Sequence, residues 1–270
     1  MAAGRDRSGR ERSALRAVAI VPARLGSTRL PRKMLLAETG KPLFQHTVEG
    51  VRRAARIQRV VLATDAEEIR SVAQALGIDA VLTAREHASG TDRVNEALAL
   101  LSAQGHGPWD VVFNVQGDEP EIHGETLDPL IAAFADDAVE MATLATPLAD
   151  GTEALDPSVV KVVLDRAGDA LYFSRAPIPG QSPATRGRAP GPYLRHIGVY
   201  AFRPEALRAF CALPRGRLEE LESLEQLRWL ESGRRIRVLE TSEGSVGIDT
   251  AEQYARFVER ERTRSHLEVR

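Results

Sequence analysis

The sequence predicts an α/β protein: a three-layer α/β/α sandwich built on a mixed sheet, with antiparallel strands added late in the chain. Three observations point there. Short apolar, β-branched runs alternate with amphipathic segments at short intervals up to Met141. The run that begins DVVFNV is uninterruptedly apolar, as in a strand covered on both faces. Beyond Met141 the rhythm changes to strand-like runs separated by Asp, Gly and Pro turns.

The elements follow in order. A first strand from Ala17 breaks at Pro22 into a loop rich in Gly, Ser, Thr and basic residues. Pro42 then opens an amphipathic helix with Leu43, Phe44, Val48 and Val51 on one face. Strand RVVLATD, helix AEEIRSVAQALG and strand DAVLT come next, and after the loop REHASGTDR a helix VNEALALLSAQG leads into DVVFNVQGDEP. The later strands are MATLATPL, VVKVVLD, ALYFSRAP and YLRHIGVYAF, either joined to the sheet or projecting from it. Between the last two, IPGQSPATRGRAPGPY has no periodicity and reads as a long mobile loop. One helix, LEELESLEQLRWLESG, a strand RRIRVLE, the turn GIDT and a helix from Ala251 complete the chain.

The 270 residues allow two domains or one large α/β unit. Hydrophobic residues at 43% and charged residues at 27% exclude a disordered or fibrous protein. No apolar run nears the roughly 18 residues of a membrane span, and the N-terminus has no apolar signal core, so a cytoplasmic protein without membrane insertion is expected. One cysteine, Cys211, excludes an internal disulfide and a multi-cysteine zinc site. A net charge of −2 with 5% aromatic residues argues against a nucleic-acid partner. The first sixteen residues hold five Arg against Asp6 and Glu11, and the remainder carries 31 basic and 36 acidic residues. Residues 1–16 therefore read as a basic extension and 17–270 as a single domain.

Three places carry chemistry. The loop Pro22 to Lys33 interleaves Arg24, Arg29, Arg32 and Lys33 with Gly26, Ser27 and Thr28 at the carboxyl end of a strand, where open α/β sheets bind ligands. It suits a polyanion, or is simply a solvated basic loop; neither G-x-x-x-x-G-K-[ST] nor G-x-G-x-x-G is present. The turn Gln116-Gly117-Asp118-Glu119-Pro120 ends a buried strand with two carboxylates. Asp118 beside a phosphate loop suits Mg²⁺, which takes few carboxylates plus substrate oxygens; the alternative is a hydrogen-bonded turn. In Gly247-Ile248-Asp249-Thr250, Asp249 is a second carboxylate or a cap of the last helix. Ser89-Gly90-Thr91-Asp92-Arg93 is an anion-binding loop or an N-cap, and Lys161, Arg175, Arg195 and His196 lie on or beside later strands.

Taken together, VPARLGSTRLPRK, ATD, HASGTDR, NVQGDEP, VKVVLD with YFSRAPIP, LRHIGVYAF, LEQLR and GIDT, in this order, closely resemble the 3-deoxy-manno-octulosonate cytidylyltransferase family from about Val18 to the final helix. The resemblance implies a Rossmann-like nucleotidyltransferase fold with an antiparallel dimerisation extension. It implies a Mg²⁺-dependent enzyme that transfers CMP from CTP to the anomeric hydroxyl of the acid sugar 3-deoxy-manno-octulosonate (KDO), releasing pyrophosphate, for lipopolysaccharide synthesis. Residues 17–140 would be mainly nucleotide-binding, and 141–250 mainly sugar-binding and homodimer-forming. Pro22, Ala23, Arg24, Lys33, Ser89, Gly90, Thr91 and Arg93 match nucleotide-side positions. Asp118 and Asp249 match the metal ligands, and with Arg24 and Lys33 form the catalytic set. Gln116, Arg175, His196, Tyr200, Glu225 and Gln226 match positions around the sugar acid. One departure stands out: the family's L-P-G-K reads Leu30-Pro31-Arg32-Lys33 here, so an arginine replaces a glycine able to adopt φ > 0. The competing readings are a cytidylyltransferase for another acid sugar, such as amino-KDO or a nonulosonic acid, a non-catalytic nucleotide-binding protein, or a metal-dependent glycosyltransferase.

Overall fold

The computed structural model describes residues 14–148, 151–180, 182 and 193–268. Most of the loop expected to be mobile, and the basic extension up to residue 13, lie outside them. Among the described residues nine strands form one sheet: β1 (Ala17–Ala23), β2 (Ile57–Thr64), β3 (Ala80–Leu82), β4 (Val111–Val115), β5 (Met141–Pro147), β6 (Lys161–Leu164), β7 (Ala170–Ser174), β8 (Leu194–Phe202) and β9 (Arg237–Glu240). Their order is β3-β2-β1-β4-β8-β5-β9, with β6 pairing β7 and β8. The first four strands are parallel, β8 runs antiparallel to β4 and β5, and β9 is parallel to β5. The late strands thus extend the same sheet rather than project from it.

Helices cover both faces: α1 (Leu43–Arg52), α2 (Glu67–Ala75), α3 (Gly90–Ala103), α4 (Asp128–Ala133), α5 (Pro204–Ala212), α6 (Arg217–Glu222), α7 (Leu227–Glu231) and α8 (Ala251–Glu268). Every residue of β1 is buried, which is why it reads as continuously apolar. Its pleat sends Ala17, Ala19 and Val21 into one core with Phe44 and Val48 of α1, Ile69 of α2 and Ile131 of α4. Val18 and Ile20 enter the opposite core with Val94 and Leu98 of α3, Phe210 of α5 and Trp229 of α7. Each such large apolar side chain contributes about 1.5–3 kcal/mol of burial. Helix α8 docks separately, Tyr254, Phe257 and Val258 packing with Ile248 on Leu43. Among the described residues no helix is long and apolar enough to cross a membrane.

Two local expectations are corrected. Helix α3 starts at Gly90 rather than at Val94, because the Ser89 hydroxyl accepts the Asp92 amide at 3.2 Å and caps it. The helix expected over 218–233 is two, α6 and α7, separated at Ser223 in the left-handed conformation (φ 52°). There the Glu222 carboxylate accepts from Ser174 Oγ and the Arg175 amide while Leu224 turns into the core, so tertiary contacts override a continuous helical pattern. Helices α4 and α5 add to the expected elements, each opening with proline in its first turn followed by spaced apolar residues.

Candidate functional site

At the carboxyl ends of β1 and β4 the strand order switches from β2 on one side to β4 on the other, and a cleft of about 350 Å³ opens there. The loop after β1 supplies Pro22, Arg24 and Lys33; the turn after β4 supplies Gln116 and Asp118; Asp249 arrives from the turn before α8. Sequence spacing could not bring the last two together, but the fold does.

Lys33 is the hinge of this arrangement. Its residue is only 7% exposed, and its ammonium donates to Asp118 Oδ2 at 2.5 Å, Asp249 Oδ1 at 3.0 Å and the Ile248 carbonyl at 2.7 Å. Arg29 adds a second cation, 2.9 Å from Asp249 Oδ1. Capping of α8 falls to Thr250, whose hydroxyl accepts the Gln253 amide, which leaves the Asp249 carboxylate to these cations. Backbone contact is close under Asp118: a Cβ on Gly117 would stand 2.8 Å from the Pro22 carbonyl, so the turn tolerates only glycine there. Glu119 points the other way, into the protein. It accepts from Ser245 Oγ at 2.6 Å, and burial pushes its carboxyl up to about 7.

On the nucleotide side predicted from sequence, Pro22, Arg24, Ser89, Gly90 and Arg93 line the cleft. Ala23, the last residue of β1, is buried behind it. Arg93 is itself buried; it donates to Thr83 Oγ1, the Ala84 carbonyl and Asp65, and burial lowers its pKa. Thr91 is inside: Gln116 Nε2 donates to Asn114 Oδ1 (3.0 Å), Asn114 Nδ2 to Thr91 Oγ1 (3.1 Å) and Thr91 Oγ1 to Glu225 Oε2 (2.8 Å). This relay starts and ends on cleft-lining residues. Burial raises the Glu225 pKa.

The remaining predicted residues divide. His196 stacks edge-on against Phe173 and contacts Thr143 Oγ1 at 3.0 Å; desolvation lowers its pKa to about 3 and keeps it neutral. Beside it, burial and the Glu225 charge drive the Tyr200 hydroxyl well above its ordinary value. Gln226 is buried with an Nε2 that has no hydrogen-bond partner. Arg175 is not brought to the cleft: its guanidinium donates to the carbonyls of Glu222, Pro157 and Ser223. Ser27, Thr28 and Arg29 of the expected polyanion loop line the cleft as well, and so does His87, to which the sequence assigned no role. His87 opens the HASGTDR segment, but a lone histidine without metal spacing gave no sign of its place in the cleft.

The cytidylyltransferase family model matches residues 18–236. The 3-deoxy-manno-octulosonate cytidylyltransferase of Nitratidesulfovibrio vulgaris is 48% identical over 233 residues, covering 86% of this chain and 91% of that protein. The protein of the same name from Syntrophotalea carbinolica is 44% identical over 249 residues, covering 88% and 95%. The solved structure of a CMP:2-keto-3-deoxy-manno-octonic acid synthetase complexed with CTP superposes with a TM-score of 0.84 at 38% identity, covering 92% of this chain and 99% of that one.

Proposed function

The chain belongs to the cytidylyltransferase family, and we propose that it transfers CMP from CTP to the anomeric hydroxyl of KDO, releasing pyrophosphate. The observation that carries this is the convergence of Asp118 and Asp249 on Lys33 at the mouth of a cation-lined cleft, in a chain similar over most of its length to a synthetase solved with CTP. The product is an activated sugar for lipopolysaccharide assembly.

The chemical obstacle is like-charge repulsion, because the triphosphate and the sugar acid are both anions. Arg24, Arg29 and Lys33 supply positive charge on one wall of the cleft, and Arg suits a planar clamp on phosphate oxygens. The Ser27 and Thr28 hydroxyls and the capped N-terminus of α3 offer short donors for the same ligand. Asp118 and Asp249 are hard oxygen donors close enough to share one ammonium, a donor set that fits Mg²⁺. Among the described residues no three His, Cys, Asp or Glu side chains cluster as a metal cage, so an ion held by these two carboxylates would need the rest of its ligands from substrate oxygens and water. Bound there, the ion supplies neutralisation of triphosphate charge and polarisation of the attacked phosphorus.

For the sugar, Gln116 and Glu225 present polar groups to the cleft, and the unpartnered Gln226 Nε2, neutral His196 and un-ionised Tyr200 stand behind them. Neutral hydrogen-bonding groups suit hydroxyls without adding charge beside the phosphates. The carboxylate role implied for Arg175 requires its guanidinium to leave three carbonyls. A homodimer through the strand-rich region after Met141 and a cytoplasmic location complete the proposal.

The purified chain incubated with CTP, KDO and Mg²⁺ should yield CMP-KDO and pyrophosphate by mass spectrometry, with EDTA stopping the reaction. Absence of CMP-KDO under these conditions overturns the reading.

A further inference from the structure

Among the described residues only two non-glycine residues have positive φ, and one of them, Arg32 (φ 55°, ψ 27°), immediately precedes Lys33. The left-handed region is rare for L-residues because Cβ crowds the carbonyl oxygen, so a neighbouring contact must offset it. The conformation has a use. It turns the chain into the 3₁₀ turn Lys33–Leu35, in which the Leu35 amide donates to the Arg32 carbonyl at 2.9 Å and Lys33 and Met34 are driven inward. From that turn the Lys33 ammonium reaches both carboxylates.

The offsetting contact is visible. The Arg32 guanidinium is absent from the cleft lining and is paired instead with the Glu68 carboxylate on the first turn of α2. Helix α2 is fixed to the sheet through Ile69 and Ala73, both fully buried. The other end of the same loop is tied to the same corner, because the Leu25 amide donates to Asp65 Oδ1 at 3.1 Å where β2 leads into α2. The cationic loop is therefore strung between two anchors, Asp65 at its start and Glu68 at its end.

We infer that Arg32 is a positioning residue for Lys33, held in its left-handed conformation by the ion pair with Glu68, so that α2 sets where the Lys33 ammonium stands relative to the nucleotide. This rests on the proposed use of the cleft for CTP. Glycine adopts the left-handed region freely, so Arg32→Gly should need no anchor.

The experiment compares wild type, E68Q, R32G and R32G/E68Q by steady-state pyrophosphate release and by hydrogen exchange of a peptide spanning residues 30–36. E68Q is expected to raise the KM for CTP about three-fold with kcat little changed, within the range of an exposed ion pair, and to speed exchange of the peptide. R32G is expected to stay within two-fold of wild type, and adding E68Q to R32G should change neither readout. Equal effects of E68Q in both backgrounds, or no effect in either, overturn the inference. If wild type releases no pyrophosphate from CTP, the functional reading fails by itself, and the exchange data still decide whether Glu68 acts through residue 32.

Discussion

The Ile248 amide donates to the Asp118 carbonyl across 2.8 Å, which joins two turns that lie far apart in sequence and aligns the two carboxylates of the site. Ile248 returns its own carbonyl to the Lys33 ammonium at 2.7 Å. This backbone bond joins the two turns independently of either carboxylate, so replacing one carboxylate should leave that join in place.

Asp118→Asn tests that separation. The amide keeps the shape but loses the charge that, in the proposed reaction, holds a metal ion against the triphosphate. Pyrophosphate release should fall by more than about 100-fold, or roughly 2.7 kcal/mol of transition-state stabilisation, while the urea midpoint changes little. Near-wild-type turnover would remove Asp118 from the reaction.

Thr91→Val cuts the relay from Gln116 to Glu225 in its middle. Valine has the shape of threonine without the hydroxyl, so Asn114 and the half-buried Glu225 each lose a partner. A loss of about 1–3 kcal/mol in stability is expected. Since Gln116 and Glu225 face the cleft, the KM for KDO should rise more than that for CTP; an equal rise in both would disconnect the relay from sugar binding.

Beneath α6 and α7 lies a buried ion pair, Arg228 Nε and Nη2 donating to Glu219 at 2.7 and 2.5 Å, with the two side chains 6% and 2% exposed. Arg228→Leu leaves the buried Glu219 charge only the exposed Arg215, 3.5 Å away, and the Gly216 amide, and should cost about 3 kcal/mol. The double variant with Glu219→Leu should recover most of that loss in chemical unfolding. Failure to recover would mean that packing, not charge, dominates there.

His196 links stability to acidity. Its pKa falls from about 6.5 in the unfolded chain to about 3 when folded, because its ring is desolvated. Between those values the unfolded chain binds the extra proton, so this contribution to stability is complete above about pH 6.5 and drains away as pH falls toward 3. From pH 7 to pH 5 the loss should be about 2 kcal/mol. His196→Asn should show a correspondingly flatter profile in urea titrations at the two pH values; an unchanged slope would show that the histidine is solvated.

Much of this was readable in the chain. The β1, β2 and β4 runs are apolar on both faces because helices cover both faces, and that double covering leaves a plain sequence pattern. The glycine, hydroxyl and basic residues from Arg24 to Lys33 and the Asp118 turn are likewise local signals. Contacts between distant segments were not readable. Nothing near Arg175 announces that Glu222, Pro157 and Ser223 will engage its donors, and nothing in LEELESLEQLRWLESG marks Ser223 as a break. Nor does the run Leu30-Pro31-Arg32-Lys33 announce that Arg32 adopts a left-handed backbone and that its side chain finds Glu68.

The proposed reaction pairs one nucleotide with one acid sugar, and the decisive measurement is pyrophosphate release with CTP, UTP, ATP and GTP, each crossed against KDO, amino-KDO and a nonulosonic acid. Turnover with CTP and KDO should stand well above every other combination. Turnover confined to a different sugar, or to a different nucleotide, would contradict it.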